Sequence, residues 1–242
     1  MKVSLFVPCL TDQFFPQSGM NMVRVLERLG VEVEYLDSQT CCGQPAFNTG
    51  YHDEARVLAE KYIRLFDSSD ADYIVAPSGS CTTMVNIAYG KLLSIPEDLQ
   101  PALEALQRKT FEFSAFIVDV LKQNDVGAEF AGKVTIHDSC HALRELHIKQ
   151  QPRELLRHVK GIELIEMQHA ETCCGFGGTF AVKHADISTE MVDRKIAEIH
   201  SAGVEYVTGV DSSCLMQIEG RLRRLNSTVK TLHIADILAG DA

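Results

Sequence analysis

No stretch of the 242-residue chain approaches the roughly 20 apolar residues that a membrane-spanning helix requires. The amino terminus, Met1 to Cys9, has too short an apolar run for a secretory signal and lacks a small-residue cleavage site. A basic excess is missing too. The chain sets 23 Lys and Arg against 33 Asp and Glu, and a net charge of −10 argues against nucleic acid, whose phosphates demand a positive face. The expectation is a soluble, cytoplasmic protein with no transmembrane segment and no nucleic-acid partner. Low-complexity segments are absent, and so is any CxxC knuckle of the kind that closes on a structural zinc ion. A chain this long buries a sizeable core without covalent staples, so its cysteines are not needed as disulfides for stability.

Against those absences stand eight cysteines in two quartets: Cys9, Cys41, Cys42 and Cys81, then Cys140, Cys173, Cys174 and Cys214. Cys9 and Cys140 lie 131 residues apart, Cys41 and Cys173 132, and Cys81 and Cys214 133. The repeat extends beyond cysteine. Cys-Cys-Gly recurs with Gly43 and Gly175, Tyr73 and Tyr206 each stand eight residues before the last cysteine of their quartet, and Phe111–Leu121 resembles Leu232–Leu238. The chain divides into repeats at 1–128 and 129–242, near the glycine-broken stretch Asp125–Lys133. Leu92–Lys109, with Pro96 and Pro101, has no counterpart in the second repeat.

Each repeat alternates strands and helices. Val3–Val7, Val31–Leu36 and Tyr73–Ala76 read as strands, as do 134–137, 163–166 and 205–208 in the second half. Between them, Ser18–Leu29 carries a stripe of Met20, Val23, Leu26 and Leu29, and Asp53–Ser68 one of Val57, Leu58, Lys61, Tyr62 and Leu65. A third helix places Ile187, Met191, Lys195, Ile196 and Ile199 together. Strands joined by helical crossovers run parallel, so the predicted fold is α/β with two repeated Rossmann-like halves. Every cysteine follows a strand, which puts all four thiols of a quartet in loops at the carboxyl edge of one sheet, where open α/β sheets bind ligands.

Four thiolates at one locus can hold a tetrahedral zinc ion or a [4Fe–4S] cluster. Adjacent cysteines point their side chains apart in most backbone conformations, which suits two irons of a cluster better than one ion. Zinc, a dithiol–disulfide couple and ordinary buried thiols remain open as alternatives. Gly175-Phe176-Gly177-Gly178 matches neither GxGxxG nor a P-loop; its expected role is to let backbone approach the sulfurs and donate N–H groups to them. His137 and His141, where the first half has Phe6 and Leu10, are expected beside the second cofactor. A nucleophilic Cys140–His141 pair is disfavoured because neighbours on a turn rarely face each other. Arg144, Arg153 and Arg157 read as the solvated face of a helix.

These residues resemble the cysteine-rich CCG-domain family, whose pattern is Cys, then Cys-Cys-Gly, then CxxC. The family includes a component of heterodisulfide reductase and the iron–sulfur subunits of glycolate oxidase and anaerobic glycerol-3-phosphate dehydrogenase. The run from His137 to Leu146, Cys173–Lys183 and Asp211–Cys214 are similar to members serving lactate utilisation. That resemblance implies an iron–sulfur electron-transfer subunit of a three-part complex oxidising L-lactate to pyruvate, with further iron–sulfur subunits as partners. It also admits a thiol–disulfide reductase subunit or a zinc-stabilised assembly subunit. Where the family has the first cysteine of CxxC, this chain has Ser78 and Asp211, so four ligands per half suit an ordinary [4Fe–4S] cluster, with Asp211 as a conceivable oxygen ligand.

Overall fold

The computed structural model describes residues 1–240. The first half runs β1 (Lys2–Leu5), α1 (Cys9–Phe14), α2 (Pro16–Arg28), β2 (Glu32–Tyr35), α3 (Gln44–Thr49) and α4 (His52–Asp67). It continues with β3 (Tyr73–Ala76), α5 (Gly79–Thr83), α6 (Tyr89–Leu92), α7 (Gln100–Lys109), β4 (Thr110–Glu112) and α8 (Phe113–Ala115). The second half runs β5 (Glu129–Ile136), α9 (Cys140–Arg144), α10 (Gln150–Arg157), β6 (Lys160–Leu164), α11 (Phe180–Lys183) and α12 (Ala185–Ser201). It closes with β7 (Tyr206–Gly209), α13 (Ser212–Arg224), β8 (Lys230–His233) and α14 (Ile234–Ala239). Each half builds a four-stranded parallel sheet, in the orders β2-β1-β3-β4 and β6-β5-β7-β8. The fold is α/β with two repeated halves. Leu92–Lys109 contributes the extra helix α7, which the second half omits by passing directly from α13 to β8.

Strand alternation sorts side chains into layers. Val3, Leu5 and Val75 point inward with Val134 and Ile136 into one core shared by both halves, with Val25 and Leu26 from α2 and Ile237 and Leu238 from α14. The outward-facing Phe6, Ile74 and Ala76 join a second cluster beneath α4, and Val207 a third beneath α12. The helix faces follow the predicted stripes only in part: Leu26, Tyr62, Lys195, Ile196 and Ile199 are buried as expected. Val57, Ile187 and Met20 are exposed at 64%, 57% and 55%, and the buried faces lie on Ala55, Ala59, Tyr62, Ile63 and Phe66 in α4 and on Ser188, Val192, Lys195 and Ile196 in α12. In α2 the buried face includes Ser18 and Asn21, which donate to the two carboxylate oxygens of Asp236, both at 3.0 Å, fastening the halves together. Polar residues with partners inside thus belong to the face, and an apolar stripe overlooks them.

At the end of β4, Glu112 is buried, and one carboxylate oxygen accepts from the Ser114 and Ala115 amides at 2.9 and 3.1 Å, while the other has no partner among the described residues. Burial, reinforced by the Asp211 charge, raises its pKa to about 7. Between the ordinary value near 4.5 and about 7 the folded chain therefore binds more protons than the unfolded one, so this carboxyl's contribution to stability is full below that window and is lost as pH rises through it. Glu112→Gln, which mimics the protonated form, is expected to flatten the urea-unfolding pH profile between pH 5 and 7 and to be more stable than the parent at pH 8 by about 3 kcal/mol. An unchanged pH slope in the variant counts against the assignment.

Candidate metal centres

The first quartet forms where three loops leave β1, β2 and β3. Pro8 ends the first strand in extended backbone and starts α1 at Cys9. The loop after β2 is tied down by Gln39, whose side chain accepts from Val7 N–H at 2.9 Å and donates to Leu5 C=O at 2.6 Å. Gly43 then adopts φ +85°, a left-handed conformation costly for other residues, with a notional Cβ only 3.1 Å from Ala55 C=O. Its N–H points at Cys41 Sγ, 3.4 Å away. After β3, the Ser78 hydroxyl caps α5 by accepting from Cys81 N–H at 3.2 Å. Cys9 Sγ lies 3.5 Å from Cys41 Sγ, and Cys42 Sγ 3.3 Å from Cys81 Sγ. Hydrogen bonds from Cys42 and Cys9 pull the Cys41 thiol well below its usual range despite burial, while the bonds that Cys9 and Cys42 make with neighbouring sulfurs raise theirs. A cavity of about 270 Å³ opens against all four cysteines and is walled on its far side by Phe176, Thr179 and Val182 of the second half.

The second quartet repeats this frame. Cys140 starts α9, Cys173 and Cys174 follow β6, and Cys214 lies in α13. Gly175 sits at φ +83°, its notional Cβ only 2.7 Å from Ser188 C=O, and its N–H reaches Cys173 Sγ at 3.4 Å. Hydrogen bonds from Cys140 and Cys174 depress the Cys173 thiol. Cys214 is lowered to about 6 by its bond from Cys174 and by His137, against burial. Cys174 and Cys214 are buried, and Cys140 and Cys173 half-buried.

The two sites differ in their walls. Phe6 packs edge-on against Tyr62 and Phe66, with centroids 4.9 and 5.7 Å away. At the positions matching Phe6 and Tyr62 stand His137 and Lys195, both buried. A nitrogen of His137 lies within 4.8 Å of Cys174 Sγ and Cys214 Sγ, and apart from the Cys214 thiol neither ring nitrogen has a hydrogen-bond partner among the described residues. His141 Nδ1 is 3.5 Å from Cys140 Sγ, so these neighbours do face each other, because both ride the first turn of α9. On its other side His141 Nε2 meets Gln44 Nε2 of the first half at 3.5 Å. In the Gly175–Gly178 loop the Gly175 N–H is directed at Cys173 Sγ and the Phe176 N–H at Cys174. A notional Cβ on Gly178 would lie 4.0 Å from Pro45 Cα, and the adjacent Thr179 hydroxyl meets that of Thr49 at 2.8 Å, so this loop joins the halves.

A further reading of the sequence needs correction. Arg153 is buried at 4% exposure, not solvated; it grips Asp138 at 2.7 and 3.0 Å and Glu166 at 2.7 and 2.9 Å, because α10 turns this side of itself onto the sheet. Asp211 has structural partners that the sequence did not show. Oδ1 accepts from Ser213 N–H at 3.2 Å as a helix cap, and Oδ2 from Ser80 N–H across the halves at 2.7 Å. Lys195, placed on the helical stripe by the sequence but without a role, donates to His169 and Ala170 carbonyls at 2.7 and 3.1 Å, and Tyr89, missed in the sequence, donates its hydroxyl to Cys42 C=O at 2.8 Å. A lysine on an otherwise apolar stripe was the available signal for the first; nothing marked the second.

Two four-sulfur loci on a duplicated parallel α/β frame define a thiol-rich, metal- or cluster-binding class of protein. The pattern of the family described as "Cysteine-rich domain" (CCG) matches residues 3–86 and 134–219, and the chain belongs to that family. It is 48% identical over 238 residues to "Lactate utilization protein A" of Geobacillus sp. (strain WCH70), covering 98% of this chain and 99% of that one. It is likewise 48% identical to the protein of that name from Bacillus pumilus (strain SAFR-032), over 98% and 99%. Among solved structures, a hypothetical protein from Helicobacter pylori aligns with 98% of this chain and 48% of its own at TM-score 0.62 and 10% identity, a likeness of fold. Among the described residues no helix is long and apolar enough to cross a membrane.

Proposed function

We propose that each half holds one [4Fe–4S] cluster, on Cys9, Cys41, Cys42 and Cys81 and on Cys140, Cys173, Cys174 and Cys214, and that the chain relays electrons in an assembly oxidising L-lactate to pyruvate. The observation that carries this reading is the convergence of four thiols in each half, the first beside about 270 Å³ of free space, room for a group larger than one ion. The donor set fits, since soft thiolates suit iron–sulfur clusters and the thiols shed their protons on loading. The cluster supplies one-electron chemistry. The chain's own part is to bury the inner sulfurs, to aim the Gly43 and Gly175 N–H groups at Cys41 and Cys173, and to exclude water with α4 and α12. The relatives' name supports lactate utilisation as the setting. Lactate releases two electrons and two protons in becoming pyruvate, and two centres can take the electrons singly and pass them to iron–sulfur partner subunits.

Zinc is the second reading, favoured by sulfur separations of 3.5 and 3.3 Å, near the roughly 3.8 Å edge of a tetrahedron with metal–sulfur bonds of about 2.3 Å. Anaerobic reconstitution with iron and sulfide separates the two. The expected result is about four irons and four sulfides per half, broad visible absorption and a paramagnetic signal on reduction. Zinc alone in a colourless protein overturns the cluster reading.

A further inference from the structure

We propose that His137 is a metal ligand of the second centre, an imidazole nitrogen beside the sulfurs of Cys174 and Cys214 that takes the place of one of the half-buried thiolates, Cys140 or Cys173, so that the two halves hold chemically different sites. The proposal rests on the reading above for the presence of metal and exchanges one of its four ligands in the second half. Its first support is distance: one His137 nitrogen and both sulfurs lie within 4.8 Å of one another, all three residues buried. The second is an unmet need. His137 is 2% exposed, and apart from the Cys214 thiol beside it neither ring nitrogen finds a partner among the described residues, an arrangement that buried polar groups rarely keep.

The third support comes from the internal repeat, which shows what the frame accepts here when no ligand is required. Phe6 occupies the same strand end, its N–H bonded to Val75 C=O at 2.9 Å as that of His137 is to Thr208 C=O at 2.8 Å. The first half fills the position with an apolar ring, so the imidazole is not there to satisfy packing. The surroundings have turned polar in step: Ser139 stands for Pro8 and Thr208 for Val75, each with a buried hydroxyl lacking a partner among the described residues. Lys195 does not relieve them, its ammonium being committed to the His169 and Ala170 carbonyls. The backbone of His137 is also held in place, since Asp138 next to it donates its N–H to Ala170 C=O at 3.1 Å and is gripped by Arg153.

A neutral nitrogen ligand raises the potential of an iron–sulfur centre relative to thiolate alone. The second centre is thus expected to reduce before the first. The deciding measurement uses the full chain, reconstituted with iron and sulfide, labelled with ¹⁵N-histidine and examined by pulsed paramagnetic resonance. The expected result is a strong coupling of a directly bonded nitrogen, lost in His137→Phe with iron content retained and kept in His141→Phe. The unmutated protein decides the matter even if His137→Phe fails to fold: iron-loaded protein with only the weak coupling of a hydrogen-bonded ring overturns the proposal while leaving the cluster reading intact. Failure to take up iron sinks the cluster reading instead. In that event X-ray absorption of zinc-loaded protein asks the same question, with nitrogen at about 2.0–2.1 Å beside sulfur at about 2.3 Å expected and a sulfur-only shell overturning the ligand assignment.

Discussion

Arg153→Ala is expected to lower the unfolding free energy by about 3–5 kcal/mol, because it removes the cation that pairs with Asp138 while that carboxylate stays buried. The argument turns on the unequal exposure of the two acids that Arg153 holds. The Asp138 side chain is 2% exposed and cannot recover water, whereas that of Glu166 is 47% exposed and can. Glu166→Ala should therefore cost only about 1 kcal/mol, as for a surface pair. A double variant, Arg153→Met with Asp138→Asn, removes the stranded charge and should recover much of the loss. Urea unfolding measures all three, and at about 2–4 °C per kcal/mol the single Arg153 variant should melt roughly 6–20 °C lower. Equal losses in Arg153→Ala and Glu166→Ala would contradict the account. Metal content is a further readout, since Asp138 lies between His137 and Cys140 and a loosened loop should weaken loading of the second half alone.

That network marks where sequence reasoning stops. Three strands of each half, their parallel direction and the gathering of cysteines at one sheet edge were legible, because a period of two, a crossover helix and a repeat offset are local or countable properties. The short fourth strands β4 and β8 were not, and β6 begins three residues before the stretch read as a strand. Tyr73–Ala76 was placed without error, and the duplication explains why α8 and α14 recur at the ends of the halves. Arg153, Asp138 and Glu166 were not legible as a unit, since their partnership arises only when α10 packs over β5 and β6. For the same reason Ser78 and Asp211 were noticed as missing cysteines but not as partners: they face each other across the halves in an isolated antiparallel bridge that no pattern within one repeat announces. The rotation of the helix faces has a similar origin. Ser18, Asn21 and Lys195 count as polar in a sequence and as interior in the fold because carbonyls and carboxylates of distant segments meet them.

Cys42→Ser and Cys174→Ser should each empty one half of metal and spare the other. Both residues are buried at the inner end of their quartet, and Cys42 is 3.3 Å from Cys81, so their loss breaks the site from its dry side. Structural metal binding is worth on the order of 10–16 kcal/mol in small thiolate sites, far more than the roughly 1–3 kcal/mol cost of a buried serine hydroxyl without a partner. Loss of metal from one half should thus dominate the phenotype, and Cys→Ala variants should match the serine variants in metal content. The shared core of Val3, Leu5, Val134 and Ile136 predicts that the emptied half stays folded against its neighbour, so circular dichroism should change little while iron falls by about half. The two losses should not look alike. Cys42→Ser leaves the centre beside His137 and His141, and Cys174→Ser leaves the one walled by Phe6, so the residual signals should differ in potential and line shape. Full iron in both variants would remove the vicinal cysteines from the ligand set, and identical residual spectra would mean that the histidines of the second half leave no mark on its metal.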